Sequence, residues 1–362
     1  MFVHECATKY AFTFSIHPYM STFSLAVTAR RVVPAAFAGL LLLSSCDTKT
    51  GNQGLPMPAA PAVVTFTQAG LYPEGVQYDA ANSRFLVTSL TTGRVGQVKD
   101  DGTYSPAFPD DPKLVSAIGA YLDNASGRNR LLVAISDPGA NQQRSTAATQ
   151  GKLARLAIFN NASATAAPTF VELGSLRPAL AHFANDIAVD NNGNAYVTDS
   201  FSNLIYKVDA QNNATVFLED AARLGTPAAG AFGLNGIVFH PDGYLLVAKS
   251  DNGAIYKVPL TNPSSFTQVT TTQNLSAADG LLLQDNNTLQ VVSNAQARVF
   301  RLATTNGFTA ATLSGTFVTQ PQFPTTLARR DNGSYVLYAN LDALFSGRPA
   351  VSQFSINQVA FQ

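Results

Sequence analysis

Four oxygen-bearing side chains stand at matching points of a repeated phrase: Glu74 in Pro73-Glu74-Gly75, Asn185 before Asp186, Asn235 before Gly236, and Asp279 before Gly280. Carboxylate and amide oxygens are hard donors of the kind that hold divalent cations. Two carboxylates with two amides suit calcium first, with zinc and manganese as alternatives. Two carboxylates gathered in a dry site without a cation would repel and raise one of their pKa values. Each motif alone is an ordinary turn former. Their recurrence with matched chemistry argues for a metal site made of Glu74, Asn185, Asn235 and Asp279.

These residues lie far apart in the chain, so the elements around them must bring them together. Residues 185–200 and 235–250 read as two copies of one unit, continuing into Ile205-Tyr206-Lys207-Val208 and Ile255-Tyr256-Lys257-Val258. Further copies begin at 74 and 279, and weaker ones near 118 and 325, so the anchors recur roughly every 44 to 67 residues. Within each copy, short β-rich runs are split by turn signals such as Asp100-Asp101-Gly102, Asp190-Asn191-Asn192-Gly193 and Pro241-Asp242-Gly243. Asn-Gly and Asp-Gly supply the positive φ of tight hairpins. Runs of four to six residues without a helical period predict antiparallel strands. Repeats of about 40–50 residues with four strands each are propeller blades. The fold class is therefore all-β, a six-bladed propeller of four-stranded antiparallel blades over residues 63–362. In such a ring the first strand of each blade lines the central channel, and the residues at its start converge at one mouth. Closure requires residues 352–361 to complete a blade begun by 63–66, and the polar stretch 136–151 reads as a long rim loop.

The order and spacing of Pro73-Glu74-Gly75, Asn185-Asp186, Asn235-Gly236 and Asp279-Gly280 resemble the regucalcin and gluconolactonase family of six-bladed propellers, across nearly all of residues 70–340. The resemblance implies a divalent ion on Glu74, Asn235 and Asp279, with Asn185 facing metal and substrate. It implies hydrolysis of a lactone or related ester of a small molecule, with Asp279 and Asn185 as catalytic residues and Asp279 as the general base. Members acting on sugar lactones carry an arginine two residues before the Asn-Asp pair. Phe183 stands there in this chain, which turns the expectation from polyhydroxylated lactones toward more apolar ones. Two other readings compete: a non-catalytic ligand- or protein-binding propeller with a structural ion, and a propeller like the strictosidine synthases, which share the architecture.

A second polar column, Ser89, Asp199, Lys249 and Ser293, ends the second strand of each blade and, with Phe183, is a candidate for substrate contact. His182 reads as a loop or packing histidine, and His240 falls at the opposite hairpin end. Tyr196, Tyr206, Tyr256 and Phe300 read as packing between blades.

Composition narrows the partners. Lys plus Arg equals Asp plus Glu at 23 each, charged residues are 13% of the 362, and the net charge is zero. A basic face for nucleic acid is thereby disfavoured. Two cysteines exclude a disulfide framework and a thiolate metal site. Residues 1–45 read as a secretory signal whose true start is Met20: Arg30-Arg31 precede an apolar run ending at Leu43-Ser44-Ser45-Cys46. The last four resemble a bacterial lipobox, which implies lipidation at Cys46 and a flexible tether over 46–62. The expected location is the cell envelope, periplasmic or on the outer membrane, with membrane contact through the lipid alone and a monomeric state.

Overall fold

Short β-branched and aromatic runs, broken by Gly-containing turns, fold into 24 strands and two one-turn α-helices among the described residues. The computed structural model describes residues 59–125, 127–228 and 230–362. The signal segment, Cys46 and the first part of the tether lie outside them.

Six four-stranded antiparallel sheets form the ring. The first blade holds β2 (Val76–Asp79), β3 (Arg84–Thr88), β4 (Val95–Val98) and β5 (Tyr104–Pro106). The second holds β6 (Ser116–Asp123), β7 (Arg130–Ser136), β8 (Ala154–Asn160) and β9 (Thr169–Glu172). The third holds β10 (Ala184–Val189), β11 (Ala195–Asp199), β12 (Leu204–Val208) and β13 (Ala214–Glu219). Helix α1 (Ala221–Leu224) leads to the fourth blade: β14 (Leu234–His240), β15 (Tyr244–Lys249), β16 (Ala254–Pro259) and β17 (Thr267–Gln268). The fifth holds β18 (Ala278–Asp285), β19 (Thr288–Ser293), β20 (Arg298–Ala303) and β21 (Thr312–Val318). The sixth joins both ends of the domain. Its β22 (Pro324–Arg330), β23 (Gly333–Tyr338) and β24 (Gln353–Gln358) are completed on the outside by β1 (Val63–Thr67), and helix α2 (Leu341–Phe345) lies between β23 and β24.

That closure matches the expectation for residues 63–66 and 352–361: Val64 faces Ile356 and Phe66 faces Phe354 across the β1–β24 ladder. Closing the ring packs each blade between two others and leaves only the short outer strand of each blade as an edge. The segment between β7 and β8 is a chain of turns, as expected of 136–151. Between blades the cores are apolar. Tyr196 and Tyr256 share one cluster with Leu245 and Val247, and Phe300 shares another with Leu246 and Leu289. Each such buried side chain contributes about 1.5–3 kcal/mol of transfer free energy.

The inner strands carry the feature that matters for the site. The ladder between first and second strand shifts register between Ala117 and Ala120, Ala184 and Ile187, Leu234 and Ile237, Ala278 and Leu281, and Pro324 and Leu327. Each shift is a β-bulge, which lets a strand re-aim side chains. The bulged pairs are Ile118-Gly119, Asn185-Asp186, Asn235-Gly236, Asp279-Gly280 and Thr325-Thr326, and Glu74-Gly75 takes the same place just before β2. In the blades that carry glycine there, adjacent inner strands nearly touch. A Cβ on Gly236 would lie 2.3 Å from the carbonyl oxygen of Asp279, and one on Gly119 would lie 2.4 Å from that of Asn185.

Candidate metal centre and active site

Glu74, Asn185, Asn235 and Asp279 all line one cavity of about 400 Å³. Three bulges and the segment just before β2 bring in these four residues from four blades. The other two ring positions hold Ile118, which lines the same cavity, and Thr325, whose Oγ1 donates to the Glu74 carbonyl at 2.8 Å. The Glu74 backbone is further fixed by Gly75 N–H donating to Thr88 Oγ1 at 2.8 Å.

The amides are tied from behind by a repeated device. Asn185 Nδ2 donates to Ser200 Oγ at 2.8 Å, and Asn235 Nδ2 donates to Ser250 Oγ at 3.0 Å. Each serine in turn donates to a carbonyl of the next blade, Ser200 to Leu234 and Ser250 to Ala278, both at 2.5 Å. In the fifth blade the polarity is reversed: Asn294 Nδ2 donates to Asp279 Oδ2 at 2.9 Å. All three pairs are fifteen residues apart in sequence. With its nitrogen engaged, Asn185 has its Oδ1 buried and without a hydrogen-bond partner, and the same holds for Glu74 Oε2. Leaving such an atom unmet costs about 1–3 kcal/mol.

Electrostatics sharpen the point. Burial pushes the Glu74 carboxyl well above the usual carboxylate range, and the charges of Asp279 and Asp186 add to it. Burial likewise raises Asp279 to about 7, with the charge of Asp186 and against hydrogen bonding from Asn294 and Asn235. Asp186, beside Asn185, is also raised to about 7 by burial, despite accepting from Ile187 N–H at 2.9 Å and Ile237 N–H at 3.2 Å. It faces a second cavity of about 490 Å³ that also reaches Pro241. Among the described residues no Lys, Arg or His lines the first cavity.

The donor set therefore fits a hard cation. Two carboxylates, two amides that each donate to a serine, and two unmet buried oxygens meet in a space without a cationic side chain among the described residues. No group of three His, Cys, Asp or Glu side chains forms a metal cluster among the described residues, so a cation here would depend on the amides as well as the acids.

The expected second column stands one residue away from the cavity. Ser89 Oγ donates to the Leu71 carbonyl at 2.9 Å, Ser293 Oγ donates to that of Ser276 at 2.7 Å, and Lys249 Nζ pairs with Asp251 at 2.6 Å. Asp199 accepts from Phe183 N–H at 2.8 Å and sits 2.7 Å from His182 Nδ1, with Tyr206 OH at 2.9 Å. None of the four lines the cavity, whereas their successors Leu90, Ser250 and Asn294 do. Consecutive strand residues point to opposite faces, so a one-residue slip exchanges the wall of the site for its foundation. The signal was the fifteen-residue spacing from each ring residue to Ser200, Ser250 or Asn294. His182 is a buried packing residue as expected, its Nε2 2.9 Å from the Arg177 carbonyl. His240 stacks on Tyr244 at the far hairpin end, with centroids 4.2 Å apart.

Phe183 does line the cavity. Its ring lies 5.2 Å from both Phe201 and Phe232, and those two are 5.2 Å apart. Phe232, Phe323, Leu341 and Phe345 complete the wall from loops and from α2. These were not singled out from sequence, because loop residues carry no periodicity.

No family model matches the sequence, and no curated protein matches it. Solved structures do. The major allergen Mala s 1 of Malassezia sympodialis is 16% identical with a TM-score of 0.66, covering 83% of this chain and 97% of its own. A gluconolactonase of Xanthomonas campestris is 12% identical with a TM-score of 0.55, covering 82% and 89%. A luciferin-regenerating enzyme is 12% identical with a TM-score of 0.54, covering 83% and 97%. At these identities the likeness establishes the shared propeller fold.

Proposed function

We propose that this chain is a divalent-cation-dependent hydrolase of a lactone or related ester, held at the cell envelope by a lipid on Cys46. The observation that carries the reading is the pair of buried, unmet oxygens, Glu74 Oε2 and Asn185 Oδ1, in a cavity lined by Glu74, Asp251 and Asp279 and, among the described residues, by no cationic side chain. Gluconolactonase activity in a protein of the same fold supports it. Glu74, Asn185, Asn235 and Asp279 would hold the ion. When bound, a divalent cation supplies Lewis acidity to a carbonyl and to water.

The chain's own groups do the rest. Asn294 pins Asp279 Oδ2, leaving the other carboxylate oxygen to accept a proton from the attacking water. The water oxygen bonds to the acyl carbon, the acyl C–O bond breaks, and the departing oxygen takes up a proton, giving a hydroxy acid from a lactone. Asn185, anchored on Ser200 through its Nδ2, would keep its Oδ1 turned toward the ion. Phe183, Phe232 and Leu341 exclude bulk water.

The test is turnover of a lactone and ester panel by purified protein, with and without chelator, joined to elemental analysis. Metal-restored turnover that collapses in Asp279→Asn while the variant still unfolds in one cooperative transition supports the hydrolase. Silence across the panel in metal-loaded protein refutes it. A second reading, a binding propeller with a structural ion, draws on the neighbour with TM-score 0.66, which is described as an allergen. It requires a cation that stabilises without any turnover. Anchoring is tested separately: Cys46→Ser should release the protein from the membrane fraction.

A further inference from the structure

The cavity is sharply divided. Its oxygen-bearing floor is buried, with Glu74 8% and Asp279 5% exposed, whereas two of its wall residues, Phe232 and Phe345, are 40% and 58% exposed. Large apolar side chains left that open are few in this molecule: only Val63, Phe232, Leu313, Val318 and Phe345 among the described residues. Two of the five therefore stand on this one cavity. Phe232 is held by edge contact with Phe183, ring planes at 83°. Leu341 and Phe345 are four apart on α2, on one side of the helix. Exposed apolar surface beside a polar floor is the usual lining of a small-molecule site.

Charge excludes much of the remaining chemistry. The charged residues of the lining are Glu74, Asp251 and Asp279, all acidic, and Asp251 is already paired with Lys249. Among the described residues no cationic side chain of the lining waits for a substrate carboxylate or phosphate. The upper wall also offers a polyol no hydrogen-bonding side chain at Leu90, Ile118, Phe183, Phe232, Phe323 or Phe345.

We propose that the substrate is uncharged and amphipathic: a lactone or ester whose carbonyl end reaches the oxygen ring while an alkyl or aryl group lies along Phe183, Phe232 and Phe345. Phe232 and Phe345 are then the specificity-determining residues. This deepens the hydrolase reading and rests on it for the reacting bond alone.

Two measurements on the full-length, calcium-loaded protein separate the claims. The first is binding of 2-alkylcyclopentanones, which cannot be hydrolysed, by displacement of the neutral fluorophore N-phenyl-1-naphthylamine. The second is hydrolysis of γ-lactones bearing the same alkyl groups, beside gluconolactone. Each added methylene should tighten ketone binding by about two- to fourfold until the wall is covered. Phe232→Ser and Phe345→Ser, both at exposed positions, should remove most of that gain while keeping the wild-type melting temperature. A chain-length series that is flat, or that ignores both variants, overturns the proposal, as does faster turnover of gluconolactone than of the alkyl lactones. Chain-dependent binding without turnover of any lactone leaves this inference standing and removes the hydrolase reading. Turnover without chain dependence does the reverse.

Discussion

At the residue scale, the two acids of the ring are costly to ionise side by side. Each is desolvated, and each suffers from the charge of a neighbouring acid. Neutralising one should therefore help the empty protein and harm the loaded one. In chelator, Glu74→Gln is expected to melt above wild type. With calcium at a hundred times its Kd, wild type should gain about 2.7 kcal/mol, roughly 5 °C for a domain of this size, and Glu74→Gln should gain little. Differential scanning fluorimetry with and without chelator reads both arms, and a wild type indifferent to calcium would count against the site. His182 supports a prediction of a different kind. Burial disfavours its charged form, but the hydrogen bond and charge of Asp199 outweigh that, so its pKa is raised. Its stabilisation is complete below the unfolded value near 6.5 and is lost as pH rises through the folded value. Urea midpoints should fall as pH is raised from about 6 through that range, and His182→Gln should flatten the fall.

At the element scale, the bulge and the serine behind it act as one device. Ser250 Oγ both latches the fourth blade to the fifth and holds Asn235. Ser136 Oγ makes the same latch to the Ala184 carbonyl at 2.9 Å, but its blade presents Ile118 to the ring. Ser136→Ala and Ser250→Ala should each cost about 1 kcal/mol in denaturant unfolding. Only Ser250→Ala should also weaken calcium binding, by about 10- to 100-fold in titration calorimetry. Equal calcium affinities in the two variants would show that the serine does not position the amide. Gly236→Ala is harsher, since its new Cβ meets backbone rather than a movable side chain. About 1–3 kcal/mol should be lost, together with calcium binding. This scale also explains what was legible beforehand. Glu74-Gly75, Asn235-Gly236 and Asp279-Gly280 were readable because close strand approach demands glycine at a fixed place, so the backbone leaves its mark on the sequence. The bulge itself was not readable, because it is a relation between two strands, and without it the polar column was assigned to Ser89, Asp199, Lys249 and Ser293, one residue short. Phe232 and Phe345 escaped for a plainer reason: loops and a one-turn helix obey no period.

At the scale of the whole molecule, six blades were countable from the anchors at 74, 118, 185, 235, 279 and 325, because each blade must restart the same path from the axis. What the count implies energetically is that the ring stands or falls with its seam. The seam is β1. It contributes Val64 and Phe66, both fully buried, to the sixth blade. It also reaches into the first, where Phe66 stacks on Tyr104 with centroids 6.2 Å apart. The chain just before it is engaged as well: Gln358 N–H donates to the Ala62 carbonyl at 2.7 Å, and Tyr335 OH donates to that of Pro61 at 3.0 Å. Losing two such side chains removes about 3–6 kcal/mol of burial, a large part of the 5–15 kcal/mol that holds a typical domain. It also leaves β24 as an open edge. Protein starting at residue 59 should therefore unfold in one cooperative transition, whereas protein starting at residue 69 should melt far lower and aggregate. A synthetic peptide spanning residues 59–69, added to the shorter form, should pair with β24 and restore much of the melting temperature. If the shorter form melted like the longer one, the ring would be closed by its inner packing rather than by its last strand. The four oxygen donors at the axis would then owe their convergence to the bulged inner strands alone.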